Sequence, residues 1–138
     1  MATGTLGSQA RDYPARSFQL VSTIGTGGQA FVAGGSVGFK LGTIPAGAGI
    51  LRASTVIGTV FNGTTPTVGL GTTSAGVNLS ALAGGPITTL GANSITLTAA
   101  AVQYATADTD IYVTWGSGAG NNAGQGLVCV EYAVAGGQ

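Results

Sequence analysis

Glycine recurs 26 times in these 138 residues, and that density limits what the chain can become. A glycine inside a helix costs about 1 kcal/mol relative to alanine. Sustained i, i+3, i+4 apolar spacing with caps at its ends is not found between the glycines, so long amphipathic helices are not expected. Short alternation is what survives. Phe18, Leu20 and Ile24 alternate with Gln19, Val21 and Thr23, and Val37, Phe39 and Leu41 alternate with Gly38 and Lys40. The pattern returns at Ile95, Leu97 and Ala99, at Ile111, Val113 and Trp115, and at Val128, Val130, Tyr132 and Val134. Strand side chains point alternately to opposite faces, so each run offers one apolar face to a core and one polar face to water.

The stretch from Ile50 to Phe61 is longer and apolar on both sides. Its alternation predicts Leu51, Ala53, Ile57 and Phe61 on one face and Ile50, Val56 and Val60 on the other. Such a strand is central in a sheet, or it shows its outer face to a neighbouring subunit. Turn signals separate the runs: Gly25–Gly28, Gly34-Gly35, Pro45–Gly49, Asn62-Gly63, Gly84–Pro86 and Gly116–Gly126. Asn62-Gly63 is the residue pair favoured in a two-residue hairpin turn, and it predicts a hairpin between the Ile50–Phe61 strand and Thr67–Gly71. Asn78–Ala83 is expected to form one short helical turn. The fold class that follows is all-β, a β-sandwich or jelly roll of about seven to eight antiparallel strands.

Composition supports a folded chain. Leu, Ile, Val and Phe make up about a quarter of it, above the ~20 % level that marks disorder, and a chain of this length buries roughly 70 % of its unfolded surface. Charge is the unusual feature: only Arg11, Asp12, Arg16, Lys40, Arg52, Asp108, Asp110 and Glu131 are ionic, and the net charge is zero. A soluble monomer ordinarily keeps a mixed, charged surface. A surface of Thr, Ser, Asn, Gln and backbone is covered by another protein with little ionic desolvation, so the composition points to an assembly.

Most chemistry is excluded by residue type. The chain has no histidine, the commonest general base and metal ligand near neutral pH. Cys129 stands alone in a Val-Cys-Val run, which excludes an intramolecular disulfide and suits an inert thiol. Asp108 and Asp110 flank Thr109 and offer two carboxylates for Ca²⁺ or acid–base work, but no further oxygen ligands follow at the needed spacing, and a strand-entry turn accounts for them. Gly118-Ala-Gly120-Asn-Asn-Ala123 has the spacing of a dinucleotide loop. It leads into a strand where that motif needs a helix, so it reads as a glycine-rich hairpin loop. Four scattered basic residues give no footprint for nucleic acid. Trp115, at the end of an Ile-x-Val-x-Trp face, is expected in the core, not as a sugar-stacking platform. No catalytic residues, cofactor or metal are expected, and the chain is read as non-enzymatic.

No run of about 18 apolar residues spans a membrane, and the opening sequence lacks a basic segment followed by an apolar one, so synthesis and retention in a cytoplasm are expected. Residues 1–16 hold three of the eight charges and little apolar surface. They are read as an N-terminal arm ahead of a single β domain at 17–138. The arm either lies on a partner or folds back as an edge strand. Arg11, Asp12, Tyr13 and Arg16 are its candidate partner contacts, because Arg and Tyr are preferred interface anchors.

Two segments carry a resemblance. One is Leu41-Gly-Thr-Ile-Pro-Ala-Gly-Ala48, the long strand, and Phe61-Asn-Gly-Thr-Thr-Pro-Thr-Val-Gly-Leu-Gly71. The other is Thr109-Asp-Ile-Tyr-Val-Thr-Trp115, the glycine loop, and Gly126-Leu-Val-Cys-Val-Glu-Tyr132. Over roughly residues 37–132 this order resembles small structural proteins of tailed bacteriophages, among them capsid decoration (cement) proteins and head or tail accessory proteins. The resemblance implies a jelly-roll-like fold, a homotrimer, and a place on the outside of the virion capsid bound to the major capsid protein. This chain is richer in glycine and poorer in charge than many such proteins. Another virion component, such as a small coat or accessory protein, and a carbohydrate-binding β-sandwich stand as alternatives.

Overall fold

The alternating runs fold as strands in the computed structural model, which describes residues 17–28, 37–99, 105–120 and 123–134. The elements are β1 (Ser17–Gly25), β2 (Val37–Ile44), β3 (Ala48–Thr59), β4 (Thr67–Gly71), β5 (Ser80–Ala83), α1 (Gly85–Thr88), β6 (Gly91–Ile95), β7 (Thr109–Gly116) and β8 (Gln125–Val134). The strands form two four-stranded sheets, ordered β1-β8-β3-β6 and β2-β7-β4-β5. Every ladder is antiparallel. The expected all-β sandwich is therefore present.

Its winding follows from the pairings. β4 pairs β5, β3 pairs β6, β2 pairs β7 and β1 pairs β8, so the chain is one long antiparallel ribbon folded at the β4–β5 connection. The ribbon then rolls up, which brings β8 beside β3 and β7 beside β4. Eight strands wound this way have jelly-roll connectivity. One end of the ribbon is closed by Asn78, whose Oδ1 accepts the Thr72 N–H at 2.9 Å.

The core lies between the sheets and is built from the residues that alternation selects. Ile24, Ala53, Ile57, Ile95, Val128 and Val130 enter from one sheet, and Ile44, Val68, Leu70, Ile111, Val113 and Trp115 from the other; all are buried. Each fully buried aliphatic side chain contributes about 1.5–3 kcal/mol. Trp115 is completely buried, as expected, and meets the edge of Phe61 with ring centroids 5.5 Å apart. A buried Thr55 hydroxyl on β3 donates to the Pro86 carbonyl, tying α1 to the sheet.

Local expectations are corrected at several places. On β3 it is Ile50, not Leu51, that is buried: Ile50 is 6 % and Leu51 54 % exposed. The register steps from Ile50↔Tyr132 directly to Arg52↔Glu131, so Leu51 is the extra residue of a β-bulge and the inward phase shifts there. Val56 faces outward as expected. Asn62-Gly63 does not close a hairpin, because β3 and β4 lie in different sheets. It begins a crossing in which the Asn62 N–H donates to the Ala123 carbonyl (3.3 Å) and Asn62 Oδ1 accepts the Ala123 N–H (3.2 Å). The short helical turn falls at Gly85–Thr88, with Pro86 in its first turn, and Ser80–Ala83 is strand instead. The alternation at 95–99 lies just past a strand that ends at Ile95; Leu97 packs on the core from outside the ladder. The glycine loop after β7 likewise joins two sheets and is not a hairpin. Gly118 there has φ +82°, and a Cβ on it would sit 2.3 Å from the Thr64 carbonyl oxygen.

Candidate functional site

The outward residues of the β1-β8-β3-β6 sheet follow from its registers. Val21 faces Cys129, which faces Ser54 and then Ser94; Thr23 faces Leu127, which faces Val56 and then Ala92. Their inward neighbours Val128, Val130, Ala53 and Ile57 are buried, so period two sends this set to the outside. Val21 (48 % exposed), Val56 (46 %) and Leu127 (39 %) form an apolar stripe in the middle of the face. Leu127 and Val56 are directly opposed, and Val21 is diagonal to Leu127. Polar groups rim the stripe. Thr23, Gly58 and Gln125 border a shallow hollow of about 230 Å³ against Val56 and Leu127. Gln19, Arg52, Ser54, Ala92, Ser94 and Glu131 line a second groove of about 310 Å³. An apolar centre inside a polar rim is the usual plan of a protein contact surface.

The groups on this face are arranged for contact more than for chemistry. Arg52 grips Glu131 across the β3–β8 ladder, Nε to Oε1 at 3.1 Å and Nη2 to Oε2 at 3.4 Å, a two-point fit of guanidinium to carboxylate. Cys129 is a free thiol. Partial burial, reinforced by the negative charge of Glu131, pushes its pKa up, which disfavours the reactive thiolate.

The other charges of the described residues are matched just as locally. Lys40 reaches Asp110 at 3.0 Å, and the Thr43 hydroxyl donates to the same carboxylate at 2.7 Å. The Thr43 hydrogen bond first, and Lys40 second, hold Asp110 below the ordinary carboxylate pKa. Asp108 accepts the Ala46 N–H at 3.0 Å, pinning the turn between β2 and β3. The two aspartates thus act as strand-entry staples, and among the described residues no three His, Cys, Asp or Glu side chains gather as a metal site. Trp115 is enclosed and offers no stacking platform. No helix of the described residues is long and apolar enough to cross a membrane.

Arg11, Asp12, Tyr13 and Arg16 lie outside the described residues. The structure instead draws attention to Val21, Val56 and Leu127. Alternation marks them as outward-facing, and their apolar character at outward positions was the available signal. That they lie together needs the β1–β8–β3 registers. Comparison with protein-family models, with curated proteins and with solved structures finds no match to this chain.

Proposed function

We propose that this chain is a bacteriophage virion structural protein, a decoration (cement) protein that binds the outside of the head and stabilises the mature shell without catalysis. The observation that supports the reading best is the neutrality of the surface. Four of the five charged groups in the described residues are tied in two ion pairs, and the fifth accepts a backbone N–H. A partner that covers such a surface strips water from few unpaired ions, so little of the contact energy is lost to desolvation. The jelly-roll sandwich and its apolar stripe with a polar rim suit the same role, as does the resemblance to small phage head proteins.

The physics is that of a ligand of the final state. A protein that binds the expanded shell and not its precursor adds RT ln(1 + [L]/Kd) of stability per site. Linking several copies strengthens weak contacts through effective concentration. In this reading Arg11, Asp12, Tyr13 and Arg16 on the 1–16 arm contact the major capsid protein. Arg and Tyr make strong interface anchors.

The test is co-sedimentation of the purified protein with expanded heads of the phage that encodes it, prepared without this chain. Full-length protein is expected to bind at saturable stoichiometry and to raise the temperature at which heads disrupt. Deletion of residues 1–16 is expected to abolish binding while the unfolding midpoint of the isolated protein stays unchanged. Binding by the truncated protein removes the arm as the contact, and no binding by the full chain removes the decoration reading.

A further inference from the structure

The registers give the outer face of the β1-β8-β3-β6 sheet a relief. Residues two apart on a strand share a face, so the outward positions form rows that cross the strands. One row is Gln19, Glu131 and Arg52, on β1, β8 and β3. The next is Cys129, Ser54 and Ser94, on β8, β3 and β6. Beyond it stand Leu127 and Val56. The side chains of the middle row are short and those on either side are long. A trough therefore crosses the strands, between walls about 13 Å apart, the rise of four strand residues. The groove of about 310 Å³ against Arg52, Ser54, Ser94 and Glu131 is its open part.

The two walls differ in kind. Arg52 holds Glu131 through Nε and Nη2, which uses two of the five N–H groups of a guanidinium. Its side chain is 74 % exposed, so donors and carboxylate acceptors stand side by side with their charges cancelled. Gln19 continues this wall with an amide, which both donates and accepts. Opposite, Val56 and Leu127 are exposed aliphatic side chains. The serines of the floor add hydroxyls, and Cys129, beside Ser54, is a half-buried thiol.

We propose that this trough binds a neutral saccharide, its hydroxyls on the Gln19–Glu131–Arg52 wall and a C–H face against Val56 and Leu127. Charge decides against other small ligands. Among the described residues no ionic group but Arg52 and Glu131 lines the groove, and the two neutralise each other. A phosphate, sulfate or carboxylate finds no unspent cation there, and an amine no unspent anion. A hydroxyl both donates and accepts, so neighbouring hydroxyls of one sugar bridge the fixed carboxylate and the fixed guanidinium. The ion pair holds both side chains before a ligand arrives, which lowers the ordering cost of binding. The apolar wall is aliphatic and lacks the payload of an aromatic ring, so a single site is weak and gains from many copies acting together. The inference is independent of the decoration reading, which places the shell contact on residues 1–16.

The test uses the full chain and a panel of neutral sugars: glucose, galactose, N-acetylglucosamine, maltose, cellobiose and lactose. Each is titrated to about 50 mM, which reaches millimolar dissociation constants, while amide shifts are followed by NMR. At least one sugar should move Gln19, Ser54, Ser94 and Glu131 saturably and slow the alkylation of Cys129 by iodoacetamide. Sodium phosphate and sodium acetate should do neither. Arg52→Ala should weaken binding about tenfold, the worth of a charge-assisted hydrogen bond. Ser94→Leu, at an exposed position of the edge strand β6, fills the floor and should abolish binding with an unchanged unfolding midpoint. A panel without one saturable shift overturns the proposal. So do shifts that both variants leave intact, or an equal response to phosphate. If expanded heads protect Cys129 and no sugar does, the face is a protein contact and the saccharide reading falls. Head binding through residues 1–16 is measured separately and stands on its own result.

Discussion

Replacing Trp115 with alanine tests the core directly. Trp115 is fully buried on β7, flanked by Val68 and by the edge of the Phe61 ring, 5.5 Å away. Truncating a buried aromatic to alanine costs about 3–5 kcal/mol, through lost transfer energy and the cavity left behind. The aromatic pair adds about 0.5–1.5 kcal/mol. The indole Nε1 works the other way, because it is buried without a hydrogen-bond partner among the described residues. A buried unpaired donor carries a penalty of about 1–3 kcal/mol in the native protein, and its removal offsets part of the loss. The expected net is about 3 kcal/mol for Trp115→Ala, a large share of a domain's typical 5–15 kcal/mol.

Trp115→Phe separates these contributions. It deletes the unpaired N–H and keeps a ring against Phe61, so its cost should be less than half that of alanine. The assay is urea unfolding followed by far-UV circular dichroism, since the substitution removes the only tryptophan. A fall in the midpoint with an unchanged slope reads as lost stability. An alanine variant with the wild-type midpoint, or a phenylalanine variant as damaged as the alanine one, would refute this account of the core.

Two further predictions rest on polar and backbone geometry. Asp110 is held below its unfolded value of 3.8 by Thr43 and Lys40, so the stability it lends is complete above that value and is lost as pH falls through the lower folded pKa. Its carboxyl carbon should titrate below 3.8 by NMR, Asp110→Asn should flatten the acid limb of stability against pH, and a midpoint at or above 3.8 refutes the assignment. Gly118→Ala forces a Cβ against the Thr64 carbonyl and a positive φ on a residue with a side chain. It should cost at least about 1 kcal/mol, read as a lower unfolding temperature than that of Gly120→Ala, which has positive φ but open space around it; equal temperatures would show that the close approach is unimportant.

The candidate surface was partly legible in the amino-acid sequence. Val21 and Val56 stand at outward positions of alternating runs, and the scarcity of charge announced a surface able to be covered. The pairing of Arg52 with Glu131, 79 positions apart, was not legible, because a cross-strand ion pair is set by register and not by proximity in sequence. The same holds for Asp108 and Ala46, which meet only because β2 and β7 are neighbours.

What the sequence determined alone was local. Alternation at Ile111, Val113 and Trp115 and at Val128 and Val130 fixed which side chains enter the core, because a strand's side chains repeat every two residues whatever strand lies beside it. Glycine density excluded long helices for an equally local reason, the entropy of a backbone without Cβ. Partnership was left to the tertiary structure. An alternating run names its buried face but not its neighbour, so Asn62-Gly63 could suggest a hairpin while the ribbon carried β3 and β4 into opposite sheets. The phase of β3 was also decided late, since the bulge at Leu51 exists only in register with β8. One inserted residue exchanges the two faces of a strand, and that is why Ile50 lies in the core and Leu51 in water.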